Sequence, residues 1–378
     1  MIFPAIAGTV IVAVILWEAF ETVVLPRRVA RQFRLTRAFY VSTWRPWKFI
    51  ARQIPSKKPR ETFLGVFGPL SLLVLFVVWA AFLIFGFGLL YWSAAARKDP
   101  LLSNFHTSLY MSGTTFFTLG LGDVTPHTTV ERVLAVVESG LGFGFLALVL
   151  SYLPVIYQAF SRREVNIVLL DARAGSPPTA AELLRRHNGP HGFDALQRLF
   201  RDWERWSAEL LESHISYPVV SYFRSQHTNE SWLGALTAIL DASALLIVGV
   251  DNACARQARL TFAMCRHSVV DLAQVFSARP RASIKDRLPP AELARLRASL
   301  VQAGFQFRET PEADKKLRDL REMYEPYVHA LASHLFMELP PWILSMEASD
   351  NWRTSAWGRI SGFTAPTERE VSVDDHSD

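Results

Sequence analysis

Cysteine is nearly absent: Cys254 and Cys265 are the two in 378 residues. They have no CxxC spacing, so neither a disulfide framework nor a structural zinc site is available; two buried free thiols are expected. Charge is scarce as well. Asp, Glu, Lys and Arg make up 20% of the chain while half of it is hydrophobic; the usual charged share is about 25%. That balance excludes intrinsic disorder and collagen-like structure. Acid is missing altogether from residues 27–60, which hold 11 Lys and Arg. No Lys or Arg precedes Arg27, so the basic start of a cleaved signal peptide is lacking and a retained helix is expected. No nucleophile elbow, phosphate loop or Gly-rich dinucleotide turn occurs anywhere, and an enzyme is not expected.

The missing charge is concentrated in runs. Thr62–Ala96 spans 35 residues without one Asp, Glu, Lys or Arg, and Ser139–Ser161 another 23. Met1–Trp17 is a third such run, continuing apolar to Val24 apart from Glu18 and Glu21. A membrane-spanning helix needs about 20 apolar residues, so three spans are expected. The two halves differ in sign. Residues 1–169 carry 16 Lys and Arg against 8 acids, and residues 170–378 carry 24 against 27. Basic loops stay on the cytoplasmic side. Residues 27–60 are therefore expected inside, the N-terminus outside, and everything after Arg162 and Arg163 in the cytoplasm of a multi-pass cell-membrane protein. Arginines of 27–60 alternate with Phe33, Phe39, Tyr40, Trp44, Trp47 and Phe49. This pattern suits an amphipathic helix on anionic lipid headgroups rather than a nucleic-acid surface.

Between the second and third spans lies a run too short to cross, FHTSLYMSGTTFFTLGLGDVTPHT from Phe105. It reads as a re-entrant helix ending in Thr118, Leu119, Gly120, Leu121, Gly122 and Asp123. Non-helical backbone at membrane depth is tolerated only where it is buried in protein or lines a watery cavity. Glycines at alternate positions permit positive φ, so successive carbonyls of such a strand can point one way. Four strands around an axis would form rings of oxygens able to replace a cation's hydration shell. This segment resembles the pore module of the tetrameric potassium-channel family: outer helix, pore helix, filter, inner helix, with the family pattern T-x-G-x-G-D matched at Thr118, Gly120, Gly122 and Asp123. The resemblance covers about residues 62–160.

The resemblance implies passive conduction of potassium or potassium-like monovalent cations, with K+ as permeant ion and no cofactor. It implies ion coordination by Thr118, Leu119, Gly120, Leu121 and Gly122, with Asp123 at the filter mouth, and a homotetramer. The sequence departs from the family at Leu121, where Tyr or Phe is usual, and at Phe117, where Thr or Ser is usual. Both departures weaken the polar cuff that holds such a filter. A non-selective or sodium-permeable channel is therefore the first alternative, and a membrane-anchored sensor or enzyme with a vestigial pore the second. Gly140, Gly142 and Gly144 are candidates for a gating hinge and Pro154 for a kink; close helix packing is the alternative for the glycines. Glu138, an acid within an apolar span, is expected either to pair behind the filter or to line the pore. No span carries Arg at every third position, so voltage gating by a charged helix is not expected.

The expected organisation is an all-α membrane protein. It has an N-terminal span (1–26), a basic interfacial linker (27–61) and a pore domain (62–163), followed by a mainly helical cytoplasmic domain (164–364) and a disordered acidic tail (365–378). Within the pore domain we expect an outer helix over 62–92, a pore helix over 104–117, the filter over 118–123 and an inner helix over 130–160. In the cytoplasmic part, 171–180 reads as a linker. Helices are expected over Thr179–Arg186, Phe193–Leu211, Trp232–Val250, Asp251–Phe276, Pro289–Gly304, Glu312–Leu331 and His334–Leu344. Leu233–Val250 is apolar enough to suggest a fourth span. Asp241 at its centre and Asp251 at its end favour a buried bundle helix. His187 and His191 are expected in a surface loop. The cytoplasmic domain would gate the pore; no gating ligand is legible.

Overall fold

The computed structural model describes residues 2–25, 34–95, 102–187, 192–227, 229–249, 253–281, 286–305 and 310–344. The tail over 365–378, Arg27, Arg28, Arg31, Phe33, His191 and Asp251 lie outside them. Helix is the regular structure of the described residues, with no strand assigned among them and non-helical connections between the helices. They form two compact units. One comprises Met1–Ser161 with Ser213–Arg224, the other Arg162–Glu212 with Ser225–Asp378.

In the first unit, α1 (Ile2–Ala19) extends through a π-helical turn at Phe20–Val24. It packs antiparallel to α3 (Lys57–Ala95). Glycines set the approach: a Cβ at Gly8 would fall 2.6 Å from the Gly86 carbonyl, and one at Gly86 would fall 2.8 Å from Val12. Small residues of this kind let membrane helices come close. Glu18, an anomaly in an apolar helix, is fully buried because its carboxylate caps α2 (Leu35–Arg52). The amides of Leu35 and Thr36 donate to it at 3.2 Å, and the Thr36 hydroxyl at 3.0 Å. A carboxylate at a helix N-terminus is stabilised by the orphan amides and the helix dipole.

On α2, four of the five described rings expected to face the membrane turn inward instead: Phe39 and Tyr40 pack against the apolar cluster of the first unit, and Trp44 and Trp47 against α3. Trp44 is buried against Phe67, and Trp47 stacks on Phe63 with centroids 4.4 Å apart. Phe49 and Ile50 stay on the open face. At about 58 Å and 69 Å, α3 and α5 (Thr129–Ala174) exceed the hydrocarbon thickness, which is about 30 Å. Among the described residues, three helices outside the second unit's core are long and apolar enough to cross a membrane: Ile2–Val24, Lys57–Ala95 and Thr129–Ala174.

The second unit is a bundle of α6 (Ala180–Arg186), α7 (Gly192–Ser216, to Glu212), α8 (Trp232–Gly249), α9 (Ala253–Val275), α10 (Pro290–Gln302), α11 (Pro311–Glu322) and α12 (Glu325–Leu335). Its centre is α8, which has the length and hydropathy of a fourth span but is 94% buried in its apolar window. Asp241, fully buried midway along α8, is held by Arg287 at 2.6 and 3.2 Å and by the Tyr324 hydroxyl. Burial alone would lower the Arg287 pKa. The Asp241 carboxylate outweighs burial and raises it, so the guanidinium stays charged. Burial pushes the Cys254 thiol up to about 11 and Cys265 to about 12, so both are inert thiols at neutral pH.

Several boundaries depart from expectation. The inner helix does not stop at residue 160. It runs to Ala174 because the Asn166–Asp171 stretch keeps helical bonding, and Gly175, at φ +81°, is what ends it. The linker shrinks accordingly. Glu312–Leu331 is two helices, broken at Met323–Tyr324, since Pro326 has no N–H for the Glu322 carbonyl. His334–Leu344 is helical only to Leu335. Phe336 turns left-handed (φ +55°), and Pro340–Pro341 then run as a strap whose carbonyls at Pro340 and Trp342 accept from Arg287 (2.9 Å) and the Ala181 amide (3.1 Å). Ser213–Arg224, expected within the 164–364 domain, packs with the first unit.

Candidate functional site

The site begins at α4 (Phe105–Phe116), which Asn104 caps by accepting from the His106 amide at 3.0 Å. Its other end is a Schellman turn. The Thr118 amide donates to Thr115 O at 3.0 Å and the Leu119 amide to Thr114 O at 2.8 Å. That motif needs a left-handed residue just past the cap, normally glycine. Here Thr118 takes the position with φ +56°. A β-branched residue there carries strain of about 1–2 kcal/mol. Strain that persists in a folded chain clusters at functional sites.

From this turn the backbone alternates. Thr118, Gly120 and Gly122 have φ of +56°, +56° and +82°, whereas Leu119 and Leu121 between them do not have positive φ. Such alternation turns successive carbonyls toward one side of the strand. The side chains of Leu119 and Leu121 are about two-thirds exposed in the single protomer, and Phe117 is nearly as open. Before this strand, Phe116 meets Phe117 and Phe145 edge-on or tilted, at 5.4 and 5.8 Å between ring centroids. The far end of the strand carries a polar clamp. Tyr110 on α4 donates its hydroxyl to the Asp123 carboxylate at 2.9 Å. The sequence places no hydroxyl at 121, and the structure brings one in from 110 instead.

Behind this strand the inner helix closes in. Gly142 lies against the Phe116 carbonyl so tightly that no Cβ fits. Gly140 and Gly144 have open space around them in the protomer, and Pro154 lies within an unbroken helix. Of the three glycines, then, Gly142 is a contact with the end of α4. Glu138 is fully buried, and the Ser112 hydroxyl reaches both its carboxylate and the Ile84 carbonyl, the latter at 2.8 Å. Glu138 thus joins α3, α4 and α5 beside the alternating strand. The start of α5 is fixed by a capping box that sequence reasoning missed, although T-x-x-E is its signature: Thr128 N donates to Glu131 at 2.9 Å, and Glu131 N donates to Thr128 Oγ1 at 3.3 Å. Among the described residues no cluster of three His, Cys, Asp or Glu is placed to hold a metal ion.

One face of α5 has no cover within the protomer. Val133, Val136, Phe143 and Leu150, spaced at three, seven and seven residues, are all more than half exposed, and Gly140 falls on the same stripe. In a soluble protein such a stripe would be a liability; in this geometry it is a surface for lipid or for further copies.

Residues 72–158 match a family model described as ion channel. That stretch covers α3 from Leu72, the whole of α4, the alternating strand and α5 to Gln158. A Bacillus subtilis (strain 168) protein named "Uncharacterized membrane protein YdjJ" is 23% identical over 199 residues, which are 50% of this chain and 56% of that protein. The chain therefore spans about half the length of the curated relative it matches. No solved structure matches. Residues 72–158 are thus similar to an ion-channel domain, and they lie in a chain whose described helices include ones long and apolar enough to cross a membrane.

Proposed function

We propose that four copies of this chain form a passive channel for potassium or potassium-like monovalent cations, with the carbonyls of Thr118 to Gly122 as the selectivity filter. The observation that carries this is the alternation of positive φ at Thr118, Gly120 and Gly122 directly after the short helix α4. A single strand of this kind cannot enclose an ion, so copies must surround one axis, and cyclic symmetry is the ordinary solution. The uncovered α5 stripe and the exposed Leu119 and Leu121 supply apolar surface for neighbouring copies. Asp123, held by Tyr110, shapes the mouth. Glu138 acts behind the filter and not in the ion path. The basic face of α2 sits on anionic lipid, with the N-terminus outside and the second unit in the cytoplasm, where it gates α5.

A sodium-permeable channel is the second reading, and Leu121 favours it, because a leucine gives the filter no hydroxyl to hold its radius. Purified protein in liposomes tests the main proposal. Mass photometry should show four copies. Potassium flux should be blocked by internal barium, which has nearly potassium's size and binds the same oxygens more tightly. A stable monomer, or a flux indifferent to barium, would refute it.

A further inference from the structure

The chain passes between its two units three times: after Ser161 inside α5, after Glu212 inside α7, and after Arg224. The returning piece, Ser213–Arg224, contains the last turn of α7 and a 3-10 turn at Pro218–Tyr222. From Ile215 to Phe223 it carries no charged residue, and it is lodged among the helices of the first unit. Tyr222 lies flat on Tyr40, with centroids 5.8 Å apart and planes at 7°, and meets Trp44 and Phe67 at 5.0 and 5.3 Å. Val219 and Val220 are buried in the apolar cluster of Leu72, Phe76 and Ile156. Arg224 reaches Glu61 at 3.5 Å. Room for Phe223 exists only because residue 68 is glycine: a Cβ there would fall 2.6 Å from the ring.

The same segment touches α5 at two points. Tyr217 meets Tyr152 at 5.7 Å and Phe223 meets Phe160 at 5.6 Å. These two contacts bracket Pro154. Proline has no N–H to donate to the Leu150 carbonyl, so α5 is weakest there.

We infer that Ser213–Arg224 is the coupling wedge of the channel: it ties α7 of the second unit to α2, α3 and the Pro154 region of α5, and so delivers movements of the cytoplasmic helices to the ion path. This rests on the reading of α5 as the pore-lining helix. Two routes then reach α5, a covalent one along its own axis through Ser161–Arg162 and a packed one sideways through the ring contacts of the wedge. A stimulus shifts a two-state equilibrium only through contacts that differ between the states, and the aromatic contacts around Pro154 are such contacts.

The test is single-channel recording of the full-length protein in planar bilayers, comparing wild type with Tyr222→Ala, Phe223→Ala and Gly68→Ala. An aromatic contact made in only one state corresponds to a change of about two- to tenfold in the open-to-closed ratio. All three variants should shift that ratio in the same direction, with unitary conductance and ion preference unchanged. Gly68→Ala and Phe223→Ala remove the same contact, so the double variant should show the effect of one alone. Assembly is checked by mass photometry, and Glu61→Gln, which only loosens the Arg224 contact, serves if the aromatic variants fail to assemble; its shift should be smaller and of the same sign. A conducting wild type whose variants keep its open probability would overturn the coupling and leave conduction standing. A correctly assembled wild type that passes no current would overturn conduction itself, and the coupling with it.

Discussion

Gly142→Ala adds one methyl group where α5 passes the end of α4. The new carbon would lie 2.9 Å from the carbonyl carbon of Phe116 and 3.1 Å from its Cα, and closer still to the carbonyl oxygen. A carbon meets a carbonyl oxygen no closer than about 3.3 Å, and the oxygen is the tightest of these contacts, so the helices must part by roughly 1 Å or more. Overpacking of this kind costs about 1–3 kcal/mol, partly offset by about 1 kcal/mol for replacing Gly by Ala in a helix. The net loss is too small to undo assembly. The displacement, however, falls on Phe116, one residue from the Schellman turn that starts the alternating strand, and it recurs in every copy. Potassium flux into liposomes should drop about tenfold or more, the factor that about 1.4 kcal/mol produces, while oligomer content is unchanged. Gly140→Ala and Gly144→Ala, whose added carbons meet nothing within 4 Å in the protomer, should keep flux within a few-fold. Wild-type flux through Gly142→Ala would refute the claim that this contact positions the filter.

Tyr110→Phe removes the one hydroxyl that clamps Asp123; the potassium-to-sodium permeability ratio should fall while the oligomer survives, as bi-ionic reversal potentials would show. Asp241→Ala strips the closer of two carboxylates from a guanidinium that is only 9% exposed and leaves it Glu325 at 3.2 Å; it should cost about 1–3 kcal/mol of second-unit stability, read as a lowered Tm. Asp241→Leu combined with Arg287→Met should cost much less. Burial and the neighbouring Asp171 carboxylate push Glu230 up to about 8, from an ordinary value of about 4.3. Between those values the folded chain holds a proton that the unfolded chain releases. Stability contributed by this group is therefore fully present below about pH 4.3 and falls as pH rises through about 8. The Tm should be lower at pH 9 than at pH 6, and Glu230→Gln should flatten that difference; an equal slope in both proteins would contradict the assignment.

Much of the backbone of the proposed filter was legible in the sequence because glycine announces its conformation. Gly120 and Gly122 could be placed at positive φ from their alternation alone, and both have it. Thr118 could not, since β-branched residues avoid that region, and only the helix-capping hydrogen bonds show why it is there. The end of α5 was misplaced for a different reason. Arg162 and Arg163 mark where the apolar run stops, but hydropathy ends where lipid ends, and helical bonding continues to Ala174. Glu18 and Glu138 looked out of place in apolar helices. Their partners, the α2 N-terminus and Ser112, lie 17 and 26 residues away in sequence, and no local pattern reveals them. The docking of Ser213–Arg224 is the extreme case. Its apolar run is short and unremarkable, and its meaning comes entirely from the rings of Tyr40, Trp44 and Phe67 that receive Tyr222.

Single-channel recording with potassium on one side and sodium on the other, made on wild type and Gly120→Ala side by side, tests conduction through this strand most directly. The alternating backbone predicts discrete cation currents with a reversal potential on the potassium side, displaced less than a tyrosine-held filter would give because position 121 is leucine. Gly120→Ala places a Cβ at φ +56°, a strain of about 1–2 kcal/mol in each copy, and should be silent although its oligomer is intact. Undiminished potassium current through Gly120→Ala, or no current from a correctly assembled wild type, would contradict the assignment of Thr118–Gly122 as the filter.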